Sequence, residues 1–138
     1  LDVGCGHGYF LNEAKPFFNS VHGTEFSPKA AEIAKASSDS VFLGGIEDYP
    51  TERQFDCITA WQVIEHVYNL DRFMKKVISM LKPNGHLIIG TPNMGSFWRK
   101  SMGHKWPSFK IPENVAFFAV GILAQRNAGA AVRVVLNG

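Results

Sequence analysis

The sequence predicts an α/β fold, a doubly wound and mostly parallel sheet with helices on both faces, in one domain spanning residues 1–138. Three observations carry that prediction. Short apolar strands alternate with helical stretches of about ten residues, an order that implies right-handed crossovers between parallel strands. Gly4, Gly6 and Gly8 join an apolar strand start to a helix, as the first turn of such a sheet requires. The chain is 138 residues long with 46% hydrophobic and 19% charged residues, enough for one core and too little for two.

Leu1, Asp2 and Val3 run straight into the glycine turn, and the first residue is Leu rather than Met, so the first strand is expected to be cut short. Tyr9, Phe10, Leu11, Ala14, Phe17 and Phe18 give a short helical pattern that Pro16 should end or kink. A strand follows near residues 21–24. Ser27 then precedes Pro28, an N-cap with proline at the first helical position, and Ala30, Ala31, Ile33 and Ala34 carry a helix to about Ala36. Residues 41–43 read as a short strand and 55–60 as a buried one, apolar except for Asp56 and Thr59. Leu70, Phe73, Met74, Val77, Ile78 and Leu81 recur on one face of an amphipathic helix. Lys82-Pro83-Asn84-Gly85 predicts a stop and a turn, with the next buried strand at 86–90 closed by Pro92. Periodicity is lost from 91 to 112, which predicts an irregular excursion. A helix near 120–127 and a β-rich tail at 132–136 follow, with no seventh strand after Leu136, so the fold is expected to lack its last strand.

A formal charge of +2 is too small to bind a polyanion by bulk electrostatics, which argues against a nucleic-acid partner unless a local patch supplies the field. Cys5 and Cys57 show neither disulfide-framework nor metal-knuckle spacing and fit a reducing cytosol. No stretch approaches the ~20 apolar residues of a membrane span, and no signal-peptide pattern opens the chain. The expectation is a soluble, cytoplasmic protein whose oligomeric state the sequence leaves open.

The glycine turn should lie at the carboxyl end of the first strand, where a backbone without Cβ atoms can approach a ligand. The dinucleotide fingerprint asks for glycine at relative positions 1, 3 and 6, and Tyr9 occupies the sixth. Glycine at 1, 3 and 5, with Asp2 just before, better suits a ligand carrying an amino-acid group than a pyrophosphate; a tight turn without a ligand is the alternative. Glu25 ends the second strand, where a carboxylate can accept hydrogen bonds from both hydroxyls of an adenosine ribose. Phe26 beside it suits an adenine face. Glu25 as a solvated strand-end charge and Phe26 as core remain the plainer readings.

With these residues in place, the sequence resembles class I S-adenosylmethionine-dependent methyltransferases of Rossmann-like fold over almost its whole length, closest in pattern to small-molecule and quinone-pathway O-methyltransferases. LDVGCGHGYF at 1–10 is similar to the family's cofactor loop, and GTEFSPKAAEIAK at 23–35 to its ribose strand and helix. GGIEDYP at 44–50 resembles the adenine segment, FDCITAWQVIEHV at 55–67 the fourth strand with its loop, and LKPNGHLIIGTPN at 81–93 the fifth strand. The resemblance implies that Asp2 and the backbone of Gly4, Cys5, Gly6 and Gly8 hold the methionine part of S-adenosylmethionine, and Glu25 the ribose. It implies that Ile46 and Glu47 meet the adenine edge, and that Trp61 and Gln62 line the pocket above the fourth strand. Gly45 stands where the family often has aspartate, so a contact to the adenine amino group is either missing or supplied by Glu47.

Methyl transfer from a sulfonium asks mainly that an acceptor atom be held in line with the carbon–sulfur bond. A hydroxyl acceptor also gains from a base, and His66 is the candidate catalytic residue, a structural histidine pinning the loop being the other reading. Glu65 and His66 resemble the E-x-x-E-H run of some quinone-pathway enzymes, which would imply a divalent cation; with Gln62 at the first carboxylate, no metal is expected. From Met94 to Pro112, Phe97, Trp98, Trp106 and Phe109 mix with Arg99, Lys100, His104, Lys105 and Lys110. That mixture suits a lid over an acceptor pocket better than a nucleic-acid surface. The expected function is methyl transfer to a small-molecule acceptor, O-methylation ahead of N or C. The alternatives are a cofactor-binding but inactive fragment, a nucleic-acid methyltransferase and an NAD-dependent oxidoreductase.

Overall fold

The computed structural model describes residues 1–50, 52–92, 97–102 and 131–137. Its strands are β1 (Asp2–Val3), β2 (His22–Glu25), β3 (Ser40–Leu43), β4 (Phe55–Trp61), β5 (Leu81–Pro92) and β6 (Ala131–Asn137). The helices are α1 (Tyr9–Ala14), α2 (Pro28–Ala34), α3 (Leu70–Ser79) and α4 (Phe97–Met102). The strands form one sheet in the order β3-β2-β1-β4-β5-β6, and every pairing is parallel. The chain leaves β1 toward β2 and β3, then returns to β1's other side as β4. The order therefore reverses between β1 and β4, and ligands of open parallel sheets bind at the carboxyl edge of such a switch point.

Side chains alternate across the sheet with period two. Val3, Ile58, Ala60, Leu87 and Ile89 join Phe73, Met74 and Val77 of α3 in the larger core. Cys5, Leu11, Ala14, Val21 and Ala34 form a smaller one around α1 and α2. Helix α2 starts as its sequence dictates: Ser27 Oγ accepts the Ala30 N–H at 3.3 Å, and Pro28 occupies the first turn. Helix α3 is capped likewise by Asn69, whose Oδ1 accepts the Arg72 N–H at 2.9 Å.

Three local expectations are corrected. The helical stripe predicted to reach Leu81 stops at Ser79, because Leu81 already pairs with Phe55 and the Phe55 N–H donates to Met80 O at 2.8 Å. The Lys82–Gly85 turn is a bulge inside β5, since pairing with β4 runs from Phe55↔Leu81 directly to Cys57↔His86. Asn84 takes φ 64 there, a left-handed value that asparagine tolerates. The stretch expected to be irregular contains α4; its six residues FWRKSM hold no proline or glycine. The helix expected near 120–127 lies outside the described residues. The β-rich tail is β6, paired with β5 from His86↔Ala131 to Pro92↔Asn137.

Candidate functional site

A cavity of about 600 Å³ opens at the carboxyl edge, lined by Val3 and Gly4 of the first strand and turn, Thr24, Glu25 and Phe26 of the second, and residues 45–48 after the third. Residues 62, 63 and 66–69, between β4 and α3, together with Arg72 and Phe73, form the opposite wall. The three turn glycines have positive φ, 68 at Gly4, 54 at Gly6 and 82 at Gly8, values that L side chains reach only with strain. They differ in surroundings. A Cβ at Gly4 would meet Val63 Cγ2 at 2.6 Å, and one at Gly8 would meet Ala34 Cα at 3.0 Å, whereas at Gly6 it would meet no atom of the described residues within 4 Å. Gly8 is therefore needed for packing on α2, and Gly6 is the glycine with open space before it.

Glu25 is bound into this turn. Its Oε2 accepts the Gly6 N–H at 2.8 Å and its Oε1 accepts the Ser27 N–H at 2.8 Å. A carboxylate offers about four lone-pair sites, so each oxygen keeps capacity for a further donor from the cavity. Thr24 supports the same turn, taking the Gly4 N–H on Oγ1 at 3.3 Å and the Cys5 N–H on its carbonyl at 2.9 Å. Across the cavity, Glu47 and Phe26 fill the space that a Gly45 side chain would take, Glu47 Oε2 lying 2.9 Å and Phe26 Cζ 2.8 Å from the position of a Cβ. A carboxylate thus stands beside the aromatic ring although residue 45 has no side chain to supply one.

Of the residues singled out from the sequence, Gly4, Glu25, Phe26, Ile46, Glu47, Gln62 and His66 line this cavity. Gly6 touches it through Glu25. Asp2, Cys5, Gly8 and Trp61 do not line it. The alternation of β1 places Asp2 on the α1 face, where it is 3% exposed and accepts the Thr59 hydroxyl at 2.6 Å. Burial raises its carboxyl to about 6, the Thr59 hydrogen bond opposing the shift. Asp2 borders a second cavity of about 360 Å³ with Phe10, Phe18, Thr59 and Ile88. Cys5 is core, and burial pushes its thiol up to about 12. Trp61 lies against Phe10 at 5.3 Å between centroids and over Gly90. The alternation of β4 turns it from the α3 face, and its buried Nε1 has no hydrogen-bond partner among the described residues.

Glu65 and His66 separate. His66 is exposed on the cavity wall, while Glu65 is 3% exposed and accepts the Thr91 hydroxyl at 3.1 Å. Among the described residues no group of three or more His, Cys, Asp and Glu is placed to hold a metal ion. No helix among them is long and apolar enough to cross a membrane. Sequence reasoning passed over Thr24, Val63, Tyr68, Asn69, Arg72 and Phe73 as cavity residues. The available signal was positional, since the segment after a strand beside the switch point lies at the binding edge.

A parallel sheet in the order 3-2-1-4-5-6, with a glycine turn and a strand-end carboxylate joined at the switch point, defines a Rossmann-like nucleotide-binding architecture. The methyltransferase domain family matches residues 1–133, and the chain belongs to that family. A ubiquinone biosynthesis O-methyltransferase from Bradyrhizobium diazoefficiens is 28% identical, with 83% of this chain and 53% of that one covered. The mitochondrial ubiquinone biosynthesis O-methyltransferase of Schizosaccharomyces pombe is 35% identical over 66% of this chain and 36% of its own. Among solved structures, a Thermotoga maritima S-adenosylmethionine-dependent methyltransferase described as a possible histamine N-methyltransferase superposes with a TM-score of 0.71 at 27% identity. It covers 90% of this chain and 58% of its own. A sugar N-methyltransferase from Streptoalloteichus superposes at 0.63 with 25% identity, covering 70% and 42%. The chain spans about half the length of the curated relatives it matches.

Proposed function

We propose that this chain is a single S-adenosylmethionine-binding domain that transfers a methyl group to a hydroxyl of a small-molecule acceptor. The observation that carries the proposal is the Glu25 carboxylate, anchored to the Gly6 N–H at 2.8 Å on the rim of a cavity that Phe26, Ile46 and Glu47 also line. That spacing of an acid, an aromatic face and a second acid fits a ribose diol and an aminopurine. The open space at Gly6 fits the amino-acid tail. The cofactor supplies a methyl already activated by a positive sulfur.

The protein's own work is to bind, orient and exclude water. Glu25 accepts from the ribose hydroxyls with the lone pairs its backbone donors leave. Ile46 and Phe26 bracket the base, Glu47 accepts from its amino group, and Gln62 and Val63 close the opposite wall. His66 takes the proton from the acceptor hydroxyl. The aromatic and basic segment at 94–112, of which only α4 lies among the described residues, is proposed from its sequence as the acceptor lid. O-methyl transfer is preferred because the ubiquinone-pathway relatives carry that activity in their names; the N-methyltransferase names among the structural neighbours make nitrogen the second reading. The test is release of S-adenosylhomocysteine when the protein and S-adenosylmethionine meet a set of catechols and phenols, with matched amines alongside. Release with the phenolic set supports the proposal, and release with amines alone moves it to nitrogen. Saturable binding without release from any acceptor leaves a cofactor-binding domain and removes the catalytic claim.

A further inference from the structure

We infer that Glu65 is a positioning residue that grips the turn bearing Gln62, Val63 and His66 from inside the protein. The turn leaves β4 with Gln62 at φ 56, a left-handed value that costs a side-chain-bearing residue energy. Two successive residues of β5 hold it in that shape. The Gln62 N–H donates to Gly90 O at 2.7 Å, and one position on, the Thr91 hydroxyl donates to Glu65 Oε2 at 3.1 Å. Thr91 and Glu65 are 1% and 3% exposed. Between these two grips, Ile64 is fully buried, and the His66 N–H closes the turn on Val63 O at 2.9 Å.

A buried carboxylate is a poor choice for packing alone, because an apolar residue of similar size would lose no hydration there. What the carboxylate adds is direction. It accepts a hydrogen bond from Thr91, on the β5 side of the turn, and so turns residues 62, 63 and 66 outward to the cavity that they line. The consequence for catalysis rests on the proposed function, since it assumes that the cavity takes the cofactor. The positioning itself is a property of the fold.

The experiment follows the His66 ring and the Gln62 and Val63 amides by NMR in the full chain, together with thermal stability and the dissociation constant for S-adenosylhomocysteine. Glu65→Gln keeps an oxygen to accept from Thr91 and should leave all three signals in place. Glu65→Leu should move them and raise the dissociation constant about 3- to 10-fold, the effect of one lost hydrogen bond. Glu65→Leu combined with Thr91→Val removes both polar partners and should recover stability, yet the signals and the dissociation constant should stay displaced. A merely structural pair would restore everything together, so wild-type signals in a double variant of wild-type stability overturn the inference. Magnesium or zinc ions that move the His66 signal in the wild type but not in Glu65→Gln would also overturn it, making Glu65 a cation ligand. If S-adenosylhomocysteine fails to bind the wild type, the functional proposal falls, and the three NMR signals still decide the positioning role.

Discussion

Glu25→Ala removes the group on which the ribose assignment turns. The carboxylate spends one lone pair on the Gly6 N–H and one on the Ser27 N–H, leaving about one per oxygen for a diol. Hydrogen bonds to a charged group contribute roughly 1.5–3 kcal/mol, so the dissociation constant for S-adenosylhomocysteine should rise about 10- to 150-fold. The substitution also frees the Gly6 N–H and loosens the turn, so the single variant mixes two effects. A cycle separates them: titration calorimetry of wild type and variant, each with S-adenosylhomocysteine and its 2′-deoxyribose analogue. The wild type should lose affinity when the hydroxyl is removed, and the variant should lose almost none. A coupling of about 1 kcal/mol or more is expected, and one below about 0.5 kcal/mol, the level at which independent sites add, would refute the ribose contact.

Gly6→Ala should lower stability by only about 1 kcal/mol, the left-handed penalty alone, while abolishing cofactor binding; Gly8→Ala should unfold at markedly lower temperature because its Cβ meets the α2 backbone at 3.0 Å. Thermal melts paired with titrations distinguish the two, and the reverse pattern would contradict the placement of the open space. Glu47→Gln should lose selectivity for the 6-amino over the 6-oxo purine form of S-adenosylhomocysteine; an unchanged preference would move recognition of the amino group elsewhere. Asp2 makes stability depend on pH. Its folded carboxyl is raised from 3.8 to about 6, so its favourable contribution is fully present below about pH 3.8 and is lost as pH rises through 6. Relative to Asp2→Asn, the wild type should therefore lose up to about 3 kcal/mol of unfolding free energy between pH 4 and 7. Denaturant titrations of both proteins at the two pH values would show parallel changes if Asp2 were solvated.

The parts of the fold legible in the sequence are those set by local chemistry. The Ser27-Pro28 start of α2, the stripe of α3 and the three glycines each have a cause within a few residues, and each stands where expected. The errors lie where distant pairing wins. Lys82–Gly85 reads as a terminator, yet Leu81 is held to Phe55, so the turn became a bulge. The site followed the same division. Glu25, Ile46, Glu47 and Gln62 reach the cavity because strand ends at a switch point must. Asp2 and Trp61 miss it because the alternation of two-residue β1 and of β4 directs them to the other face, which sequence spacing alone did not resolve. Asp2–Thr59 and Glu65–Thr91 join residues 57 and 26 apart, and only the sheet order brings them together.

A crystal structure of the chain soaked with S-adenosylhomocysteine addresses the central claim most directly. Both ribose hydroxyls should lie on the Glu25 carboxylate, the purine between Phe26 and Ile46, and the amino-acid tail before Gly6. Ligand density in the cavity beside Asp2, Phe10 and Phe18, with the Glu25 site empty, would contradict it.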